Sequence, residues 1–181
     1  MTIIIPILFL FLSLIALAIT SSIVVGLIRT KGVPFISTPK DKFDAIIQTA
    51  ELKPGQVVFD LGCGRAGFLI YAAKKAGISG VGFELTPWPY AWGIFDIWRT
   101  KTAVKLYMRD FFKTDLKQAD VVYCYLFPEI MAQLELKFEQ EMRRGTKVVS
   151  YGFKLPNRQP DKVVATDESK PELGRIYVYE Y

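Results

Sequence analysis

Apolar and polar positions divide the chain into two unlike parts. The run from Ile3 to Ile28 carries no charge and consists mainly of Ile, Leu, Phe, Ala and Val. As one helix it would extend about 39 Å at 1.5 Å per residue, enough to cross the roughly 30 Å hydrocarbon core of a bilayer with some tilt. From Arg29 onward, short apolar runs alternate with polar segments that contain glycine and proline.

The apolar amino-terminal run is predicted to be a membrane anchor over residues 1–28. A cleaved signal peptide is the competing interpretation, but such peptides begin with positive charge and have a shorter apolar stretch. Neither feature is present, because the first charged residue is Arg29. Arg29 and Lys31 follow the run, so the positive-inside rule predicts that the rest of the chain lies in the cytoplasm or its topological equivalent.

Residues 29–39 are rich in Gly and Pro and predict an extended linker, followed by one α/β domain over residues 40–181. The apolar runs predict a mostly parallel sheet of seven strands with a carboxyl-terminal antiparallel hairpin. The predicted helices are Lys40–Ala50, Gly67–Ala76, Pro87–Arg99 and Pro128–Met142. The predicted strands are Val57–Phe59, Gly80–Phe83, Val104–Met108, Val121–Tyr125, Lys147–Ser150, Lys162–Ala165 and Arg175–Glu180.

The length and composition of the chain exclude several kinds of catalytic and metal site. At 181 residues the chain can bury one core of ordinary size. It has two cysteines and no histidine, which excludes a disulfide framework, an ordinary zinc site and histidine-dependent nucleophilic catalysis, so we expect no metal. The formal charge of +5 is compatible with anionic lipid, nucleic acid or solubility alone, and solubility is the simplest interpretation.

A glycine-rich turn provides the clearest site. Gly62-Cys-Gly-Arg-Ala-Gly67 follows a predicted strand and opens a predicted helix, and Glu84 ends the next strand about 20 residues later, as in nucleotide-binding βαβ units. A turn that merely closes the unit is the plainer alternative. NAD and S-adenosylmethionine both fit the glycine pattern, but Asp60 would repel a pyrophosphate and favour the ammonium and sulfonium groups of S-adenosylmethionine. The chain also has no room for a dehydrogenase's substrate domain.

The order and spacing of several motifs make this chain resemble class I S-adenosylmethionine-dependent methyltransferases with a Rossmann-like fold. It is most similar to the small protein-lysine methyltransferases, which include membrane-anchored mitochondrial enzymes that act on the ATP synthase ring subunit or the adenine nucleotide carrier, and archaeal relatives. The motifs are Pro34-Phe-Ile-Ser-Thr-Pro39, Asp60-Leu-Gly-Cys-Gly64, Gly82-Phe-Glu-Leu-Thr-Pro-Trp88, Tyr125-Leu-Phe-Pro128 and Val148-Val-Ser-Tyr-Gly-Phe-Lys-Leu-Pro156.

The resemblance implies which residues hold the cofactor. Asp60 and the glycine turn would surround its methionine end, Glu84 its ribose and Asp110 its adenine, while Phe35 to Thr38 would form a flap. The full set implied to bind cofactor is Phe35, Thr38, Asp60, Gly62, Cys63, Gly64, Glu84, Leu85, Trp88, Asp110 and Phe111. Arg65-Ala66-Gly67 departs from the Asp-Gly-Arg that is usual in the family, so altered affinity or a shifted loop is expected there.

The acceptor side is predicted at the carboxyl end of the strand that ends near Tyr125. Tyr125 and Phe127 are candidate walls of a lysine channel, and Glu129 is a candidate to accept a proton or attract the incoming ammonium, or else only a helix-start carboxylate. Tyr123 shares a face with Tyr125, and core packing is the preferred interpretation for it. Trp92 and Phe95 lie at helical spacing and are expected in the core.

The function predicted from these features is methylation of lysine side chains on a protein in or near the membrane. A nonprotein acceptor, such as a small molecule, a lipid or a nucleic acid, is the alternative within the same chemistry. Nucleic acid is disfavoured, because the chain lacks an Asp-Pro-Pro-Tyr type motif. A membrane-tethered module that binds the cofactor without catalysis is the alternative from another class.

Overall fold

The computed structural model describes residues 4–29, 36–167 and 174–181. It contains one long amino-terminal helix followed by an α/β unit. The helices are α1 (Ile4–Arg29), α2 (Phe43–Ala50), α3 (Gly67–Ala76), α4 (Pro87–Thr100) and α5 (Pro128–Glu141), with 3-10 turns at Lys40–Lys42 and Phe111–Lys113.

Seven strands form one sheet in the order β3-β2-β1-β4-β5-β7-β6. The first five are parallel to one another, and β7 pairs antiparallel with both β5 and β6. Their bounds are β1 (Val57–Leu61), β2 (Ser79–Phe83), β3 (Val104–Tyr107), β4 (Val121–Cys124), β5 (Lys147–Tyr151), β6 (Lys162–Ala165) and β7 (Arg175–Glu180). The predicted mostly parallel sheet and carboxyl-terminal hairpin are confirmed.

The sheet separates two apolar layers. On one face, buried side chains of α2 and α3 such as Ile46 and Leu69 pack on the strands; on the other face, α5 contributes Met131, Leu134 and Phe138. Strand β4 is buried at all four positions, because helices cover both of its faces. This is why the parallel strands appear as continuous apolar runs in the sequence.

The order of strands fixes where a ligand can bind. β1 lies between β2 and β4, so the chain leaves β1 toward one side of the sheet and β3 toward the other. In an open α/β sheet this reversal opens a crevice at the carboxyl ends of the strands. The glycine turn after β1 lies at that crevice.

The helix predicted over Lys40–Ala50 is divided in the structure. It begins as a 3-10 turn and continues as α2, which ends where Glu51 takes a left-handed conformation with φ of 55°. The remaining predicted elements agree with the observed ones to within two residues at each end, which is the usual uncertainty of element ends.

The expectation that Trp92 and Phe95 lie in the core is wrong. Both side chains are exposed, as are Trp88 and Trp98 on the same helix, and Gly93 is the buried position of α4. The helical spacing of the aromatic residues is real, but the stripe faces away from the sheet. Periodicity identifies a shared face and does not say which side of the helix the core covers.

Helix α1 stands apart from the α/β unit along most of its length. Its 26 residues span about 39 Å, and the stretch Ile4–Gly26 is long and apolar enough to cross a membrane. Near its carboxyl end it contacts the start of α4, where the Trp88 backbone N–H donates a hydrogen bond to Ser22 Oγ at 3.0 Å.

Candidate functional site

Two acidic side chains lie side by side at the carboxyl ends of β1 and β2. Asp60 pairs across the strands with Gly82, and Glu84 directly follows β2. Both side chains are buried. Their positions follow from the parallel register of two neighbouring strands, which brings the residues at corresponding ends to one edge of the sheet.

Glu84 organises the glycine turn. Its Oε2 accepts a hydrogen bond from the Gly64 backbone N–H at 2.9 Å, and its Oε1 accepts one from the Thr86 backbone N–H at 2.7 Å. One carboxylate therefore joins the turn after β1 to the start of α4. A buried carboxylate needs such donors, since an unpaired charge removed from water is costly.

The turn itself requires glycine. Gly62 and Gly64 have φ of 78° and 55°, a region that side chains with a Cβ rarely adopt. The backbone N–H groups of Gly62 and Cys63 both donate to the Phe83 carbonyl oxygen, at 2.9 and 3.0 Å. A Cβ at Gly82 would lie 2.6 Å from Cys63 Sγ, so the turn lies directly against β2.

Asp60 differs from Glu84 in its hydrogen-bond partners. Among the described residues, none donates a hydrogen bond to its carboxylate, although the side chain is only 4% exposed. Burial raises the pKa of Asp60 well above its usual value, and the negative charge of Glu84 raises it further. A cation beside this carboxylate would favour its ionised form. The pair therefore fits a positively charged ligand such as S-adenosylmethionine.

A cavity of about 550 Å³ opens beside Asp60. Its volume is in the range usual for small-molecule sites. Among the residues predicted from the sequence, Thr38, Asp60, Gly62, Cys63 and Tyr125 line it. The other lining residues come from six places: Ile36, Ser37 and Lys40 before α2, Phe43 of α2, Arg65 of the glycine turn, Gly67, Phe68, Ile70, Tyr71 and Lys74 of α3, Asp96, Arg99 and Thr100 of α4, and Tyr123 of β4.

A hydrogen bond joins the segment predicted as a flap to the sheet. Thr38 Oγ1 and the Tyr123 hydroxyl are 2.6 Å apart and share a hydrogen bond. The Tyr123 ring also packs on Phe68, with centroids 4.3 Å apart, so Tyr123 is both a core residue and part of the cavity wall. Burial raises the pKa of Tyr123 far above its usual value, and its hydroxyl stays protonated at neutral pH. Phe35, the predicted first residue of the flap, lies outside the described residues.

Aromatic side chains gather at the carboxyl ends of β4 and β5. The Tyr125 ring lies 5.0 Å from that of Tyr151 and 6.4 Å from that of Phe153, and Phe127 lies 5.9 Å from Phe153. A Cβ at Gly152 would come within 2.9 Å of the Tyr125 ring. Tyr151 and Phe153 were not among the residues predicted for the site, although Tyr151 ends β5 and Phe153 follows it, which puts both at the same edge as the end of β4.

The other predicted site residues lie outside the cavity lining. Gly64 and Glu84 are connected to it through the hydrogen bond described above, and Asp110 Oδ1 accepts from the Phe112 backbone N–H at 2.9 Å and so begins a 3-10 turn. Leu85, Trp88, Phe111, Phe127 and Glu129 also lie outside the lining residues. Their roles toward cofactor and acceptor stay predictions.

Arg65 and Ala66, two of the three positions that depart from the family pattern, have different surroundings. Arg65 lines the cavity, where its Nη2 lies 2.6 Å from Asp96 Oδ2 and its guanidinium lies 5.4 Å from the Trp92 ring centre. Ala66 is fully buried, belongs to the apolar core and has φ of 58°. Its methyl group therefore belongs to the core and lies outside the cavity lining, and the expected change in affinity at this loop stays a prediction.

One known protein family matches most of the α/β unit. Residues 60–162, from Asp60 past the last parallel strand to the start of β6, match the model of the ANTKMT methyltransferase domain family. The chain belongs to this family. The resemblance predicted from the sequence is confirmed, and with it the class of enzyme and the cofactor, S-adenosylmethionine.

Individual relatives agree with this membership. The chain is 30% identical over 146 residues to the ATP synthase C-subunit lysine N-methyltransferase of Rattus norvegicus, covering 80% of this chain and 67% of the rat protein. It is 27% identical over 150 residues to a protein-lysine N-methyltransferase of Saccharolobus islandicus, covering 81% of this chain and 92% of that protein. The matched region is 63% and 58% of the length of the human and mouse counterparts of the rat enzyme.

A solved structure supports the cofactor. An RNA methyltransferase from Salinibacter ruber, in complex with S-adenosyl-L-homocysteine, is 28% identical and superposes with a TM-score of 0.74 over 80% of this chain and 93% of that one. S-adenosyl-L-homocysteine is what remains of S-adenosylmethionine after its methyl group has been transferred.

Proposed function

We propose that this methyltransferase transfers methyl groups from S-adenosylmethionine to lysine side chains of a protein in or near a membrane, and that α1 anchors it there. The observation that carries the chemical part is the buried carboxylate of Asp60, which has no described hydrogen-bond donor and lines a cavity. A cationic methyl donor would place a positive charge beside this carboxylate and so favour its ionised form.

The division of labour in the site follows from its chemistry. Asp60, Gly62 and Cys63 would hold the methionine end of the cofactor, and Glu84 would fix the turn while facing the ribose. When bound, the cofactor supplies an activated methyl group to an amine that approaches in line. Proximity and orientation provide most of the rate enhancement in such a displacement, so the chain needs no histidine.

The acceptor amine must be neutral to react. With a lysine pKa near 10.4, deprotonation at neutral pH costs roughly 4–5 kcal/mol. Tyr125, Phe127 and Phe153 form an apolar, aromatic wall at the same edge of the sheet, and a wall of this kind lowers the pKa of an ammonium by excluding water. Glu129 lies in the first turn of α5 at this edge and stays a candidate to attract the incoming ammonium.

The membrane part of the proposal rests on α1. Its side chains from Ile4 to Leu17 are largely exposed and apolar in the structure. Two of its hydroxyl groups, in the part that stands apart from the α/β unit, bond to the helix itself: Ser13 Oγ donates to the Phe9 carbonyl at 2.9 Å and Thr20 Oγ1 to the Ala16 carbonyl at 2.8 Å. A helix in lipid must satisfy its polar groups internally. The Arg29 that ends α1 is expected on the cytoplasmic side or its topological equivalent.

Transfer of labelled methyl groups tests the acceptor. The full chain, reconstituted in vesicles with labelled S-adenosylmethionine and solubilised membrane proteins, is expected to label a protein band whose label maps to lysine by mass spectrometry. Asp60→Asn, which keeps the anchor, is the matched inactive control. Label that appears only in lipid or in a small molecule would overturn the lysine proposal.

RNA is the second candidate acceptor, because the Salinibacter ruber relative carries that name and four cationic side chains, Lys40, Arg65, Lys74 and Arg99, line the cavity. Phosphate groups attract such a rim. Two of these cations are already within 4 Å of Asp96, with Arg65 at 2.6 Å and Arg99 at 3.7 Å, which lowers the charge available to RNA. Adding total RNA to the same reaction decides between the acceptors.

Membrane attachment is tested separately. After alkaline extraction, the full chain is expected to float with vesicles in a density gradient, whereas Leu12→Arg in the middle of α1 should reduce flotation because a charge at the bilayer centre costs about 3 kcal/mol. Recovery of the unchanged chain in the soluble fraction would contradict the anchor. Protease protection of the α/β unit in sealed vesicles reports its side.

A further inference from the structure

Helix α4 presents a continuous apolar surface to solvent. Trp88, Ala91, Trp92, Ile94, Phe95 and Trp98 are exposed and occupy one side of the helix, here called the aromatic face of α4. Neighbouring rings touch in series, with centroid separations of 5.7 Å for Trp88 and Trp92 and 5.9 Å for each of the next two pairs. Trp98 is 72% exposed. Soluble proteins rarely expose a patch of this kind without a use for it.

The orientation of α4 is fixed by its other side. A Cβ at Gly93 would lie 2.7 Å from Leu106 Cδ2 and 3.2 Å from the Arg65 carbonyl carbon, so only glycine permits this approach to the sheet and the cofactor turn. Asp96 and Thr100 lie on the inner side and line the cavity. The helix cannot rotate to bury its aromatic residues without losing these contacts.

Helix α5 shows what an ordinary surface helix looks like in the same molecule. It also has 14 residues and begins with proline. Its exposed positions are mainly Glu129, Gln133, Glu139 and Gln140, with Leu136 as the exposed large apolar residue. The two helices therefore differ in the chemistry of their outward faces.

The contact with α1 sets the depth of α4. The Trp88 backbone N–H bonds to Ser22, and a Cβ at Gly26 would lie 2.8 Å from Thr86 Cγ2. Ser22 is seven residues from Arg29, which is about 10 Å along the helix axis. If α1 spans a bilayer, Trp88 therefore lies near the boundary between hydrocarbon and headgroups.

We propose that the aromatic face of α4 lies in the headgroup region of the bilayer that α1 crosses. This inference rests on the membrane anchoring proposed above. Tryptophan rings favour this region because one end is apolar and the indole N–H finds hydrogen-bond acceptors there. Arg99 and Lys101 follow at the carboxyl end of α4, where cations are attracted to anionic lipid. The second contact orients the cavity, whose rim includes Arg99, beside the membrane surface.

The chain provides its own reporter, since its three tryptophans all lie on the aromatic face. The full chain is reconstituted in vesicles that contain anionic lipid brominated near the headgroup or at the acyl-chain ends. We expect bromine near the headgroup to remove most of the tryptophan fluorescence. Unquenched, red-shifted emission from a chain that floats with the vesicles overturns this inference and leaves the anchor intact. A chain that does not float overturns both.

Single-tryptophan variants, with the other two replaced by phenylalanine, locate the contact. Quenching of Trp88, Trp92 and Trp98 alike supports a helix that lies along the surface. Quenching of Trp88 alone overturns the proposed contact of the whole face, since the packing of Trp88 against α1 would by itself bring that residue near the lipid. Adding Phe95→Glu to the Trp98 variant should reduce quenching severalfold, whereas Leu136→Glu on α5, 61% exposed, should leave it unchanged. An equal loss in both variants contradicts a specific face.

Discussion

The carboxyl edge of the sheet has two halves with different chemistry. At the ends of β1 and β2 it presents buried carboxylates and a glycine turn. At the ends of β4 and β5 it presents aromatic rings and the Tyr123 hydroxyl, which is hydrogen-bonded to Thr38. The first half suits a permanently charged ligand, and the second suits an amine that must lose its charge. The contrast is what we would expect if the cofactor's positive charge is bound on one side of the sheet edge and the acceptor amine loses its proton on the other, as proposed above.

Neutralising Asp60 should affect the first half most strongly. Asp60→Asn removes the partner of a cation in a buried site, an effect of about 3 kcal/mol, which is roughly 100-fold in the affinity for S-adenosylmethionine. The same change should raise the thermal stability of the ligand-free chain, since burial opposes ionisation at this position. Calorimetry and thermal denaturation measure the two effects.

Asp115→Asn provides the control for this change. Its side chain is exposed and accepts a hydrogen bond from the Lys117 backbone N–H at 2.9 Å, away from the cavity. It should leave cofactor affinity unchanged. If Asp60→Asn binds the cofactor as tightly as the unchanged chain, the assignment of charge recognition to this half fails.

The pH dependence of cofactor binding sharpens the same point. The pKa of Asp60 is raised in the folded chain, so its ionisation costs stability above that pKa, and the cost vanishes below the unfolded value. A bound cation favours the ionised form. Affinity should therefore fall by about tenfold per pH unit as pH drops below the raised pKa, and binding near it should release a proton.

Calorimetry in two buffers of different ionisation enthalpy measures that proton. The unchanged chain should release it, and Asp60→Asn should not, since its amide does not titrate. Equal proton release from both proteins would assign the titration to another group and remove the pH argument for Asp60.

A substitution in the aromatic half, at β4 and β5, should lower the rate of methyl transfer. Tyr125→Leu keeps much of the volume and removes the ring that packs against Tyr151 and Phe153. Because two ring contacts worth about 1 kcal/mol each hold this wall in place, kcat/KM for a protein acceptor should fall roughly tenfold while cofactor affinity stays the same. Tyr125→Phe keeps the ring and should retain most activity. A loss of cofactor binding in Tyr125→Leu would contradict the assignment of cofactor and acceptor to separate halves of the edge.

The smallest effect is expected at Ala66. Its left-handed conformation costs roughly 1 kcal/mol, and Ala66→Gly would relieve this cost. The change also removes a buried methyl group worth about 0.8 kcal/mol. The free energy of unfolding in urea should therefore change by less than about 1 kcal/mol, with cofactor affinity unaltered. A large gain in affinity would place the methyl group in the cavity after all.

Sequence patterns predicted the sheet well because buried parallel strands and helix-start prolines leave strong local signals. Pro87 and Pro128 begin α4 and α5, and the last two strands, with no helical segment predicted between them, form the expected hairpin. The glycine turn was also predictable, since Gly62 and Gly64 take positive φ and leave a local signal, whereas the roles of the acidic residues toward the cofactor stay predictions.

The features that sequence did not predict depend on long-range contacts. The Thr38 and Tyr123 bond joins residues 85 positions apart. Tyr151 and Phe153 reach the site through the pairing of β4 with β5. Trp92 and Phe95 face outward because Gly93, on the opposite side of α4, packs against Leu106 and Arg65. The spacing of residues along a helix does not predict which side packs against the sheet.

The short connection between α1 and the flap has a consequence for substrate choice. Only six residues, 30–35, separate Arg29 from Ile36, and even a fully extended chain covers about 25 Å over that distance. If α1 spans a bilayer as proposed, an acceptor in that bilayer would be confined to the same thin layer as the cavity, which raises its local concentration there. Weak contacts with the acceptor would then suffice, and selection would come from how far a lysine stands above the lipid.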